Sequence, residues 1–197
     1  MRIQTIEYKV YTYDELSEKA KEKVKGWYLE GREASWFKED CELYLSEIFP
    51  NSSLQVQFSL GYCQGDGLNI YGDIDLSDLW EKIKDQFTDK EARFISWALK
   101  LYGSDYTMEN NFRYGYCMVG YWNFVENLIE DMEYSCIRGI KYDILEKFDN
   151  ACKSYMEKLC DDFEKSGYDY FYEISDDELS EICAANGYEF TEDGSIF

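Results

Sequence analysis

Histidine is missing from this chain of 197 residues. Its absence excludes Ser-His-Asp and Cys-His nucleophile systems and removes the commonest general base. It also leaves the seven cysteines without the usual partner in a zinc site, and no two of them form a C-x-x-C pair. Cys41, Cys63, Cys117, Cys136, Cys152, Cys160 and Cys183 therefore read as buried free thiols in a reducing compartment. Proline occurs once, at Pro50, so no Pro-rich linker divides the chain. No apolar run approaches membrane-spanning length, and the start, MRIQTIEYKVY, lacks the apolar stretch of a signal peptide. The expectation is a cytoplasmic protein that binds no membrane and needs no metal or cofactor.

Bases are scarce as well. There are 20 Lys+Arg against 41 Asp+Glu, a net charge of -21. So large an excess opposes compaction by self-repulsion and argues against direct DNA binding. It suits a basic protein partner. The chain is nevertheless built to fold, with 45% hydrophobic residues and 19 tyrosines, a composition foreign to disordered acidic tails.

The charge is uneven. Residues 1–100 carry 19 acids and 13 bases, whereas residues 101–197 carry 22 acids and 7 bases. From Asp161 to Asp193 there are 12 acids and one base, Lys165, with aromatic residues between them. Such a stretch is either a solvated face or an imitation of a nucleic-acid backbone, with carboxylates in place of phosphates. Asp161, Asp162, Glu164, Asp169, Glu173, Asp176, Asp177, Glu178 and Glu181 are the candidate partner-binding residues.

Periodicity gives an α+β reading. Ile3–Tyr11 is a strand. Residues 14–30 form an amphipathic helix capped by Asp14, or by Ser17 if it begins a turn later. A second helix covers 33–48, with Trp36, Phe37, Cys41, Tyr44, Leu45 and Ile48 inward. Residues 54–76 form a β-hairpin turning at Gln64-Gly65-Asp66-Gly67, which makes Gln64 and Asp66 candidate contacts at its tip. Helices follow at 76–87 and 89–102, then a second hairpin at 105–119. Together these predict an antiparallel sheet of about five strands packed by helices. The later half is helical: Trp122–Met132, then Ile140–Phe163 with Gly167 as its stop. YDYFYEI is an extended link, and Ser175 with Glu178 is a capping-box pattern. The tail is a strand, a turn and a strand. The organisation expected is a mixed lobe at 1–120 and an acidic helical lobe at 121–197.

Catalytic patterns are weak. Glu39 with Asp40 and Glu42, Asp73 with Asp75, and Asp161 with Asp162 are carboxylate neighbours of the kind 41 acids produce by chance. Gly65-Asp66-Gly67 lacks the spacing and the lysine of a phosphate loop and reads as a turn. Lys19, Lys21, Lys23 and Lys25 sit among glutamates, so pairing along the helix is the simpler reading of that basic face.

Three segments carry a resemblance: YTYDELSEKAKEKVKGWY, SLGYCQGDGLNIYGDI and ISDDELSEICAANGYEFTEDGSIF. The combination of the QGDG hairpin and the FTEDG ending resembles phage and mobile-element proteins labelled antitoxin-of-toxin–antitoxin-system N-terminal-like. Anti-CRISPR inhibitors also occur in that group. The resemblance implies a mobile-element cargo protein and carries no functional residues with it. Three functions stay open. The first is an anti-CRISPR-type inhibitor that binds Cas9 or its guide-RNA complex and blocks nucleic-acid loading. The second is an antitoxin acting by protein–protein contact. The third is a metal-dependent nuclease that truncates guide RNA.

Overall fold

The computed structural model describes residues 2, 7–110 and 123–197. The chain divides into two compact units: Met1–Ala34 with Tyr168–Phe197, and Ser35–Gly167. These boundaries differ from 120–121, because the tail returns to the first helix.

The larger unit is built on an antiparallel sheet. β1 (Ser53–Ser59) pairs with β2 (Gly67–Asp75) in the register Ser53↔Asp73 to Ser59↔Gly67, so the hairpin is present as expected but its loop spans 60–66, and Gly67, read as part of the turn, already belongs to β2. β3 (Asp105–Met108) lies on the other edge of β2, with Gly72 opposite Met108. The central strand therefore buries Leu68, Ile70 and Ile74 fully. Among the described residues the sheet has three strands, not about five. Tyr11 does not join it. Its N–H and C=O bond to the backbone of Phe190 at 2.8 and 2.9 Å, which satisfies that segment elsewhere. Residues 3–6 of the expected first strand, and the return strand of the second hairpin at 111–119, lie outside the described residues.

Helices pack on this sheet. α2 (Ala34–Ile48) turns inward Phe37, Cys41 and Leu45. Trp36 and Tyr44 are exposed, contrary to the sequence reading, although the Tyr44 ring meets Phe163 edge-on at 5.7 Å. After Pro50 the chain is held by the buried Asp78, which accepts the Asn51 N–H and side-chain amide at 2.8 Å each. Asp78 sits in α3 (Leu76–Ile83). α4 (Asp89–Tyr102) opens on a capping box, Thr88 with Glu91. The Thr88 N–H and hydroxyl, with Lys147, draw the Glu91 carboxyl down to about 2. α5 (Phe124–Tyr134) follows, then α6 (Tyr142–Tyr172), which brings Phe148 among Trp80, Phe87 and Phe124 at centroid distances of 5.8, 6.5 and 6.1 Å.

Gly167 does not stop α6. The helix continues to Tyr172, so YDYFY is helical, not an extended link. The glycine serves packing. A Cβ at 167 would lie 2.3 Å from Leu60 Cδ1 and 2.9 Å from Phe37 Cζ. Only a bare backbone lets the end of β1 press against the helix.

The smaller unit has its own core of Tyr13, Leu16, Ala20, Val24, Ile174, Leu179, Cys183 and Phe190. Its first helix, α1 (Glu18–Glu30), is capped by Ser17, and Tyr13–Glu15 forms a separate 3-10 turn. α7 (Asp176–Asn186) is capped by the Ser175 hydroxyl, which accepts the Glu178 N–H at 3.2 Å. The tail pairs Phe190 with both Tyr11 and Ile196 as single bridges. Gly194 makes its turn possible: φ is +79°, and a Cβ there would meet the Ala20 carbonyl oxygen of α1 at 2.4 Å. Four of the cysteines are buried as expected, while Cys63 and Cys136 are exposed. No helix among the described residues is long and apolar enough to cross a membrane.

Two glycines separate packing from propensity. Gly26, inside α1, has nothing within 4 Å of a Cβ, so Gly26→Ala should stabilise by about 0.5–1 kcal/mol. Gly167→Val should destabilise by about 1–3 kcal/mol through overpacking. Urea denaturation at neutral pH reads both; equal stability of Gly167→Val and the native chain would refute the close approach at α6.

Candidate functional site

The candidate residues fall into two acidic surfaces, one on each unit. The first is built by the β1–β2 loop. Asp66 accepts the N–H groups of Gly61 and Cys63 at 2.7 and 3.0 Å, the Ser59 hydroxyl at 3.3 Å and the Cys63 thiol at 3.1 Å. Four donors on one carboxylate make Asp66 the organiser of the loop. Gln64 is exposed at its tip. The hydrogen bond to Asp66 and its charge push the Cys63 thiol up, so Cys63 stays protonated and is a poor nucleophile.

The Leu60–Gly167 approach sets this loop against α6. As a result, sequence-distant carboxylates come within electrostatic reach of one another. The Glu164 carboxyl is raised by burial first, then by the charges of Asp161 and Asp66. Asp162 is exposed beside them. Hairpin tip and acidic helix, separate in the sequence, thus form one negative patch.

The second surface belongs to α7. Asp176 accepts the Tyr13 hydroxyl at 3.1 Å. Burial, then that carboxylate, raises the tyrosine well above its usual value. Asp176, Asp177 and Glu178 occupy the first turn, where the helix dipole favours anions. Asp177, Glu178 and Glu181 share one face at i, i+3 and i+4 spacing, and all are exposed. Beside them is a cleft of about 370 Å³ lined by Asp14, Ser180, Tyr188 and Glu189, with Cys183 at its base. Ser180 donates to Asp14 at 2.7 Å. Two carboxylates and tyrosine rings around a space this size suit a Lys or Arg side chain. Asp14 and Glu189 were not among the sequence candidates. Only the return of the tail to Tyr11 brings them together.

Asp169 and Glu173 are exposed where α6 ends. There the Arg32 guanidinium donates to the Tyr170 carbonyl and, at 3.2 Å, to that of Glu173. The same guanidinium lies over the Tyr28 and Tyr170 rings at 5.3 and 4.9 Å.

Three of the seven carboxylates considered for catalysis have structural work. Glu42 accepts the Val56 N–H at 3.0 Å, Asp75 caps α3 through Ser77, and Asp73 accepts the Thr107 hydroxyl at 2.5 Å. Among the described residues no group of three or more acids or cysteines is arranged to hold a metal ion. On α1, Lys23 pairs with Asp193 at 2.7 Å and Lys21 with Glu18 at 3.8 Å. No protein-family model, curated protein or solved structure matches the chain.

Glu164 gives a pH signature. Its carboxyl is raised on folding, so the folded state holds the proton more tightly than the unfolded chain. Its effect on stability is therefore most favourable in acid and is lost as pH rises through the folded value. Glu164→Gln should raise the thermal midpoint at pH 7, with the gain vanishing below roughly pH 4. A pH-independent gain, or a loss at pH 7, would contradict the crowding of Glu164 with Asp161 and Asp66.

Proposed function

We propose that the protein is a non-catalytic inhibitor of the anti-CRISPR type. It binds a Cas9-type nuclease or its guide-RNA complex in the bacterial cytoplasm through an acidic surface and blocks nucleic-acid loading. One observation carries the reading: residues 168–197 contain nine acids and no base, and the α7 carboxylates Asp177, Glu178 and Glu181 project into solvent. A nucleic-acid channel lined with Lys and Arg is the complement of such a face. The cleft beside α7 fits a single basic side chain of the same partner. The Asp66–Asp161–Glu164 patch adds a second negative surface, whose crowding is unfavourable for the free protein and relieved by a cationic partner. The likeness of the QGDG and FTEDG segments to mobile-element proteins supports the same reading.

Affinity capture of the Cas9–guide complex across a salt series tests it. Capture should be strong at low ionic strength and fall steeply as salt rises. Neutralising Asp177, Glu178 and Glu181 together to Asn, Gln and Gln should weaken it at least about tenfold, a loss of 1.4 kcal/mol, without changing the thermal midpoint by more than a few degrees. No capture, or capture indifferent to salt and to these substitutions, would overturn the proposal.

A further inference from the structure

The larger unit carries two exposed helix faces of opposite charge. On α2, Trp36 is 59% exposed and Leu43 60% exposed, and both lie on the outer side of the helix. Trp36, Asp40, Leu43 and Glu47 follow the 4-3-4 spacing of a single helical stripe, with Glu39 beside it. On α4 the same spacing recurs as Lys90, Phe94, Trp97 and Leu101. Trp97 is 41% and Leu101 53% exposed, and the flanking positions are Arg93 and Lys100. In a chain of net charge -21 this face holds three bases, with one acid, Asp89, at its N-terminal end. Among the described residues, neither Lys90 nor Lys100 on α4, nor Glu39, Asp40 or Glu47 on α2, has an ion-pair partner.

We infer that the α2 face is a docking site for the α4 face of a second copy of this chain. The two stripes span the same length, so they superpose in antiparallel apposition. Trp36 then lies beside Leu101, Leu43 beside Phe94, and Glu47 beside Lys90. Asp40 faces Trp97 with Lys100 beside it, and the apolar contacts of the seam are Trp36 with Leu101 and Leu43 with Phe94. Both faces belong to one compact unit, so each copy offers both halves of the contact. Because it joins unlike faces, the contact is heterologous, and repeating it from copy to copy builds a ring or a longer assembly. The charge arrangement selects this occupant: an apolar face ringed by acids meets an apolar face ringed by bases, and the chain carries one of each. At physiological salt the Debye length is about 8 Å, so the net charge is screened while contacts within the seam are not. The inference is independent of the acidic surface of α7.

Sedimentation equilibrium of the full chain at high micromolar concentration and near-physiological salt tests it. A reversible dimer or higher self-association is expected. Glu47→Lys alone and Lys90→Glu alone should each raise the dissociation constant about tenfold, and the two on one chain should recover the native value. Leu43→Glu should leave a monomer with an unchanged circular dichroism spectrum. A monomer at every concentration, association that ignores these substitutions, or no recovery in the double variant would overturn the inference. So would titration with a single-stranded RNA oligonucleotide that binds through Arg93 and Lys100 while the chain stays monomeric.

Discussion

The close approach of the β1–β2 loop to α6 at Gly167 governs the acidic patch of the larger unit. A side chain at 167 would strike Leu60 and Phe37, so the contact depends on a bare backbone. It forces carboxylates together against their repulsion, which the raised carboxyl of Glu164 registers. Apolar packing wins because it is contiguous. Phe37, Leu60 and Phe58 press against one another, with the Phe37 and Phe58 rings 5.1 Å apart edge to face. Three partly solvated charges repel one another less strongly than buried apolar surface is held.

The smaller unit meets the same problem with few bases. Arg32 closes the end of α6 through backbone carbonyls, and Lys23 ties the tail turn to α1 through Asp193. Both cations hold the fold and leave the outward carboxylates of α7 uncompensated. Negative charge left unpaired beside a cleft fits a partner that brings its own cations.

Much of the fold was legible. The alternation of Leu54, Val56 and Phe58 gave away the hairpin, though its loop lies a few residues earlier than the QGDG turn suggested, and the helical spacing of Ala20 and Val24 marked the inner face of α1. What failed failed for physical reasons. Gly167 was read as a stop because glycine has low helix propensity, whereas a tertiary contact required it inside the helix. The five-strand sheet failed at Tyr11 because Phe190, far off in sequence, claimed its backbone. The acids of the candidate surface were legible as a concentration of charge, but their grouping was not. Asp66 comes to act on Glu164 through its charge, and Asp14 accepts from Ser180, only through folds of the chain that local pattern does not encode.

Order of addition on the Cas9–guide complex tests the central claim most directly. If the acidic surface occupies the nucleic-acid channel, the protein binds the DNA-free complex and prevents target loading. Prior loading of target DNA should then abolish its binding. Equal binding to the empty and the DNA-loaded complex would contradict an inhibitor that takes the place of nucleic acid.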